Sequence, residues 1–239
     1  MSKTGHTFDS TILREYDIRG IVGTTLHTAD AGAIGRAFGT LVRRNGGKKV
    51  ALGYDGRLSS PEFAKACIEG LNSAGVDVID IGLAATPMLY FSVWHLEMDG
   101  GIQITGSHNP PDFNGFKMMM GKKSFFGADI QKLGEVAAKG DFETGTGGVE
   151  KRPVLADYAA RLLRDVKPGR KLKVAWDTGN GAVGVSIRAV VDQLPGTHFI
   201  LNETVDGTFP AHHPDPTVPE NLKELQAKVK KEGCDLGIA

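Results

Sequence analysis

The stretch VALGYDGRLSSPEFAKACIEGL, residues 50–71, holds a strand, a turn and a helix in immediate succession. Val50, Ala51, Leu52 and Gly53 form a short apolar run bounded by turn residues, the signature of a buried strand. Ser59-Ser60-Pro61-Glu62 reads as a capping box with a proline at an early helical position, where its missing N–H costs nothing. Phe63, Cys67 and Leu71 then recur at i, i+4 and i+8, one apolar helix face.

The same alternation extends in both directions. Upstream, Thr28 is placed to cap a helix bearing Ile34, Phe38, Leu41 and Val42, stopped by Asn45-Gly46-Gly47. Downstream come a strand over 76–81, a helix over 88–96, a strand over 101–105 and a helix over 130–138. Asn114-Gly115 is a hairpin-type turn signal, followed by a strand over 116–120. The glycine-rich, apolar-poor segment GDFETGTGGVEKRP, residues 140–153, reads as a linker. Beyond it lie a helix over 155–164, a strand over 172–176, a helix over 183–194, a strand over 198–201, a helix over 219–231 and a strand over 234–239. Thr217-Val218-Pro219-Glu220 repeats the capping-box pattern. The expected fold is α/β, with mixed, mainly parallel sheets sandwiched by helices. Two domains are expected, residues 1–150 and 151–239, the second incomplete. Ala239 closes an apolar strand where open α/β sheets place their ligand crevice, so the chain reads as a piece of something longer.

Hydrophobic residues at 41% and charged residues at 23% are ordinary for a globular protein. Lys plus Arg and Asp plus Glu both number 28, so no global field favours nucleic acid or an anionic membrane, and any anion site is local. Cys67 and Cys234 make neither a disulfide framework nor a metal knuckle, and their apolar neighbours suggest buried thiols in a reducing compartment. The N-terminus lacks an apolar signal region and no stretch approaches a membrane span, so a cytoplasmic protein is expected.

Two stretches compete to define a function. Gly179-Asn180-Gly181-Ala182-Val183-Gly184 is a GxGxxG between a strand and a helix, with Glu203 about twenty residues on, the formal fingerprint of a dinucleotide site and hence of an NAD-dependent dehydrogenase. Asp177 at the strand end argues against it, because a carboxylate there repels a pyrophosphate. The second stretch is TGSHNPP, residues 105–111. Gly106 tolerates close approach of a bulky group, and Pro110-Pro111 stiffen the exit. Ser107 therefore sits on a rigid turn after a strand, with His108 beside it and Lys117 beyond Asn114-Gly115, where a hairpin could return its ammonium towards the hydroxyl. A hydroxyl, an imidazole and a cation suit a serine that carries or transfers a charged group; a polar loop of turn-forming residues is the alternative. The His212-His213 pair reads as part of a Pro-rich turn before a capped helix, not as a metal site.

TGSHNPP with Asn114-Gly115-Phe116-Lys117 resembles the active-serine motif of the α-D-phosphohexomutases, of the phosphomannomutase/phosphoglucomutase type. The resemblance is collinear from about Leu13 to Ala239: REYDIRG (14–20), GYDGRLS (53–59), ATP (85–87), DTGNG (177–181), DGTFP (206–210) and HHPDP (212–216) fall in the family's order. It implies an active-serine domain I followed by a domain II that stops before the metal-binding loop. It implies a mutase that interconverts hexose 6-phosphate and hexose 1-phosphate through a phosphoserine at Ser107 and a 1,6-bisphosphate intermediate, with glucose 1,6-bisphosphate as activator. It implies that His108 and Lys117 act beside Ser107, that Arg19 and Tyr16 meet phosphate and substrate, and that Asn109 joins them while chiefly holding the turn. Arg57 is read as a local partner of Asp55. Mg²⁺ is implied through the Ser107 phosphate, its aspartate ligands lying outside this sequence, so the 239-residue chain alone is expected to be inactive and to need the C-terminal domains as partner. The GxGxxG becomes architectural. A phosphoglucosamine mutase and a non-catalytic sugar-phosphate-binding module are the other readings of the same motifs.

Overall fold

The computed structural model describes residues 4–167 and 169–239. The chain divides into two compact units. The first comprises the described residues up to Ser107 together with Asp112–Pro153; the second comprises His108–Pro111 and Val154–Ala239.

In the first unit the elements run β1 (Ile18–Ile21), α1 (Thr28–Arg44), β2 (Lys49–Tyr54), α2 (Ser60–Ser73), β3 (Asp77–Leu83), α3 (Thr86–His95), β4 (Gly100–Ile104), β5 (Phe113–Met120), β6 (Lys123–Phe125), α4 (Ala128–Ala138) and β7 (Val149–Lys151). The sheet order is β1-β5-β4-β2-β3-β7, with β6 on β5. Strands β2, β3, β4 and β7 run parallel, and β1, β5 and β6 join antiparallel. The expected mixed, helix-covered sheet is what forms. Its core holds Ile34, Phe38, Phe63, Leu71, Ile102 and Phe116, all essentially inaccessible. Phe63 stacks on Phe116 at 6.2 Å, and Phe38 meets Phe125 edge-on at 5.3 Å.

Several sequence expectations are corrected here. His27, not Thr28, caps α1, in a reciprocal box with Asp30. The Thr28 hydroxyl instead donates to Glu62 Oε1 at 2.6 Å, so Glu62 ties α2 to α1 and does not return to the Ser59 cap. Residues 140–153 are not a linker. Gly145 and Gly147 donate to the carbonyls of Ser73 and Asn72, and β7 pairs with β3, extending the sheet by one strand. Asn114-Gly115 is not a turn: both residues lie inside β5, opposite Gly20 and Arg19. The connection that reverses the chain between β4 and β5 is the 105–112 loop itself.

In the second unit the elements are α5 (Leu155–Leu163), β8 (Leu172–Asp177), α6 (Gly184–Val191), β9 (Gly196–Leu201), a 3₁₀ turn (Pro219–Leu222), α7 (Lys223–Glu232) and β10 (Leu236–Ile238). The three strands form a parallel sheet in the order β10-β8-β9. The predicted helix over 219–231 opens instead as a 3₁₀ turn whose N-cap is Val218, a residue with no side-chain acceptor, while the Thr217 hydroxyl donates to Asp215 Oδ1 at 2.6 Å. Both cysteines are free; Cys67 is buried, which pushes its thiol far above its ordinary value, while Cys234 is only half-buried. Among the described residues no helix is long and apolar enough to cross a membrane.

The second unit carries a pH-sensitive pair. His212 Nε2 lies 2.9 Å from Asp177 Oδ2, and Nδ1 lies 2.9 Å from the His213 carbonyl oxygen. Both partners accept only, so the doubly protonated ring suits them best. Burial pulls the imidazole down, but the His213 carbonyl and the Asp177 carboxylate outweigh it and raise it above its ordinary value. A raised folded value means that the folded state holds the proton more tightly, so this stabilisation is full below about pH 6.5 and is lost as pH rises through the folded value. The denaturant midpoint of the native chain is expected to fall over that window, and His212→Asn to flatten the fall. An unchanged slope in the variant would contradict the pairing.

Candidate functional site

Ser107 lies just past β4, after Thr105 and Gly106, at the carboxyl edge of the sheet, where open α/β folds gather their ligands. It is exposed and sits at φ 53°, a left-handed conformation that few non-glycine residues adopt. Such a backbone persists only when its surroundings over-determine it, and here they do. The Arg19 guanidinium donates through Nη1 to the Gly106 carbonyl. Arg57 donates through Nη2 to the Ser107 carbonyl and through Nη1 to the Phe113 carbonyl, each at 3.0 Å. Asp55 Oδ2 accepts the Gly106 N–H at 3.0 Å and faces Arg57 Nε at 3.3 Å. The Ser107 N–H donates to Thr105 Oγ1 at 2.8 Å. A Cβ on Gly106 would fall 2.2 Å from the Arg57 guanidinium, so that guanidinium can lie under the turn only if residue 106 is glycine.

The support extends one layer further. Asp55 Oδ1 accepts the Ser60 hydroxyl at 2.6 Å, and Asn114 Nδ2 donates to the Ser59 and Ser60 hydroxyls at 2.8 and 3.0 Å. Asn114 is therefore a buried amide bracing the front of α2, and its neighbour Gly115 has a steric task. A Cβ there would lie 2.1 Å from the Ile18 carbonyl oxygen and 3.0 Å from Arg19 Nε. Its absence opens the path along which Arg19 crosses β5 to reach the serine turn.

Of the expected site residues, Arg19, Lys117 and Ser107 belong to the first unit. Lys117 reaches Asp17 Oδ2 at 2.9 Å, the same oxygen that Arg19 Nη2 reaches at 2.6 Å. Tyr16 is 78% exposed. It lines a cavity of about 310 Å³ with Tyr90, Lys117, Ser124 and Phe126. Burial first, and the Asp17 charge second, hold the Tyr90 phenol above its ordinary value. His108 is exposed and groups with the second unit, where its Nδ1 lies 3.6 Å from Asp215 Oδ2. Asn109 is half-buried on the same segment.

Two residues carry more than the sequence reading gave them. Arg57 does pair with Asp55, and beyond that it is the most voluminous fully buried side chain among the described residues and the clamp of the serine turn. Its burial lowers its affinity for a proton, with Asp55 pulling the other way, and a guanidinium stays charged regardless. Asp17 stands inside REYDIRG without a signal of its own beyond period: Asp17-x-Arg19 and Gly115-x-Lys117 have the spacing of a strand face.

The GxGxxG forms the turn that follows β8. Asp177 Oδ1 accepts the Gly179 N–H at 2.9 Å, closing the strand end, and Glu203 is held by Arg188 at 2.8 Å, so the acidic residue of the fingerprint is already engaged. Among the described residues no three His, Cys, Asp or Glu side chains cluster as metal ligands.

Helices over a mixed sheet in one unit, a parallel sheet with helices in the other, and a guanidinium-anchored serine turn at a strand's carboxyl end in the first define an α/β protein of two units with an exposed hydroxyl in the first. Residues 10–144 match the profile of phosphoglucomutase/phosphomannomutase, alpha/beta/alpha domain I, and residues 156–239 match that of domain II. The chain belongs to the phosphoglucomutase/phosphomannomutase family. It is 45% identical over 233 residues to the phosphomannomutase/phosphoglucomutase of Pseudomonas aeruginosa, covering 98% of this chain and 50% of that protein. It is 41% identical to the phosphoglucomutase of Neisseria meningitidis, covering 95% and 50%. A crystal structure of a phosphoglucomutase/phosphomannomutase family protein from Burkholderia thailandensis superposes with a TM-score of 0.92 at 41% identity, covering 97% of this chain and 52% of that one. The chain thus spans about half the length of the curated relatives it matches.

Proposed function

We propose that this chain is the phosphoryl-carrying part of a mutase that moves phosphate between the C6 and C1 oxygens of glucose and mannose. In this reading the Ser107 phosphoester bond breaks as a bond to a sugar hydroxyl oxygen forms. The resulting 1,6-bisphosphate returns its other phosphoryl group to Ser107, and the net change is one of position. A phosphoserine brings about −1.5 to −2 charge, and transfer of such a group depends mainly on positioning and countercharge. Arg19 and Lys117 supply the cations, Tyr16 meets the sugar, and His108, next in the chain after the serine, handles the proton. The observation that carries the reading is the exposed Ser107 at φ 53°, with its turn gripped by two buried guanidiniums. A mere connecting loop has no use for either.

Mg²⁺ belongs to this proposal only through a phosphate on Ser107. The nearby carboxylates of Asp17 and Asp55 are engaged by Arg19, Lys117 and Arg57, so the described residues do not by themselves make a magnesium site and no step is assigned to the ion. Glucose 1,6-bisphosphate is the proposed activator, because it can load the serine. A coupled assay with Mg²⁺ and glucose 1-phosphate tests the reading. A chain extended to the length of its relatives is expected to turn over, on mannose phosphate as well, and residues 1–239 alone to show under about a hundredth of that rate, since substrate positioning can be worth several orders of magnitude. An inactive extended chain would contradict it.

A further inference from the structure

We propose that Asp17 is a positioning residue whose carboxylate competes with the phosphoryl group for Arg19 and Lys117, keeping the site's grip on phosphate reversible. The inference rests on the reading of Ser107 as a phosphoryl carrier. Strand geometry creates the arrangement. Ile18 pairs with Phe116 and Arg19 with Gly115 across β1 and β5, and continuing that register by one residue sets Asp17 opposite Lys117. Alternation along each strand puts Asp17, Arg19, Gly115 and Lys117 on one face. Because Gly115 has no side chain, the Arg19 side chain can lie across that face and meet both Asp17 and the Gly106 carbonyl.

One carboxylate oxygen therefore serves two cations, at 2.6 and 2.9 Å, with side chains only 5% exposed for Arg19, 13% for Asp17 and 27% for Lys117. The trio carries one net positive charge. Without Asp17 the two cations would repel each other at close range, and the trio would present two. A phosphate arriving beside Gly106 meets an Arg19 whose charge, like that of Lys117, is already partly neutralised by one carboxylate. A carrier that must surrender its phosphoryl group as readily as it takes it gains from such a competitor: tight binding of the loaded state alone raises the barrier to release.

The test uses inorganic phosphate, its binding read by ³¹P line broadening at fixed ionic strength. Asp17→Asn keeps the shape and an acceptor oxygen but removes the charge. It is expected to bind phosphate on the order of tenfold tighter than the native chain, the scale on which one neighbouring charge shifts an ionic equilibrium. Asp17→Glu is expected to stay within about twofold of native, and Lys117→Met to weaken binding in either background. A merely structural role would make Asp17→Asn bind more weakly, so equal or weaker affinity overturns the proposal. Should the asparagine variant fail to fold, Asp17→Ser, which also removes the charge, is read by the same criterion. Labelling of Ser107 is a separate result that tests the carrier reading and leaves this affinity ratio untouched.

Discussion

Replacing Ser107 with alanine in the full-length protein is expected to lower turnover by at least about 10⁴-fold, the scale seen when a covalent nucleophile is removed. The fold should survive, because the hydroxyl is exposed and the turn is held through backbone atoms: the carbonyls of Gly106 and Ser107, and their N–H groups on Asp55 and Thr105. None of these contacts uses Ser107 Oγ. Ser107→Ala should therefore melt within about 1 kcal/mol of native, with a small cost for alanine at positive φ. Loss of turnover together with loss of folding would point to a structural serine, and retention of rate would place the phosphoryl carrier elsewhere.

Arg57→Ala is expected to have the largest effect on stability. The substitution leaves the Asp55 carboxylate without its cation and strips donors from the Phe113 and Ser107 carbonyls. It also empties the volume of a fully buried arginine. Breaking a buried, hydrogen-bonded ion pair by removing one partner costs about 3–5 kcal/mol. Denaturant unfolding should show that loss, and limited proteolysis should open the chain within residues 105–112 at protease concentrations that spare the native protein. Arg57→Lys keeps a charge but not the planar fork, and should recover only part of the loss. A loss below about 1 kcal/mol in the alanine variant would mean that the turn holds its shape without the clamp.

The backbone of the fold was legible where side chains impose a period. The β2–α2 segment announced itself because Val50 to Gly53 and then Phe63, Cys67 and Leu71 follow the two spacings that burial requires. The β7 strand was hidden, because Val149 to Lys151 join the sheet through main-chain bonds and all three are exposed, so no apolar pattern marks them. Asn114-Gly115 was misread for the converse reason. The pair favours a turn in isolation, but tertiary needs recruited the amide to brace Ser59 and Ser60 and the missing Cβ to let Arg19 pass. At the site, the motif around Ser107 drew attention to the hydroxyl, but nothing in the spacing announced that Arg19 would reach the Gly106 carbonyl. Spacing alone made Arg57 a local partner of Asp55, because sequence separation says nothing about a guanidinium running beneath a loop fifty residues away. The acceptor-only surroundings of His212 were equally invisible, since Asp177 is brought to it by the sheet.

The central claim is that the Ser107 oxygen is the atom that holds the phosphoryl group. Incubating the chain with glucose 1,6-bisphosphate and mapping phosphate by peptide mass spectrometry tests it most directly. The account predicts one phosphoryl group on the peptide containing residues 105–112, located on Ser107 and absent from Ser107→Ala. Phosphate on another residue, with Ser107 unmodified in the native chain, would contradict it.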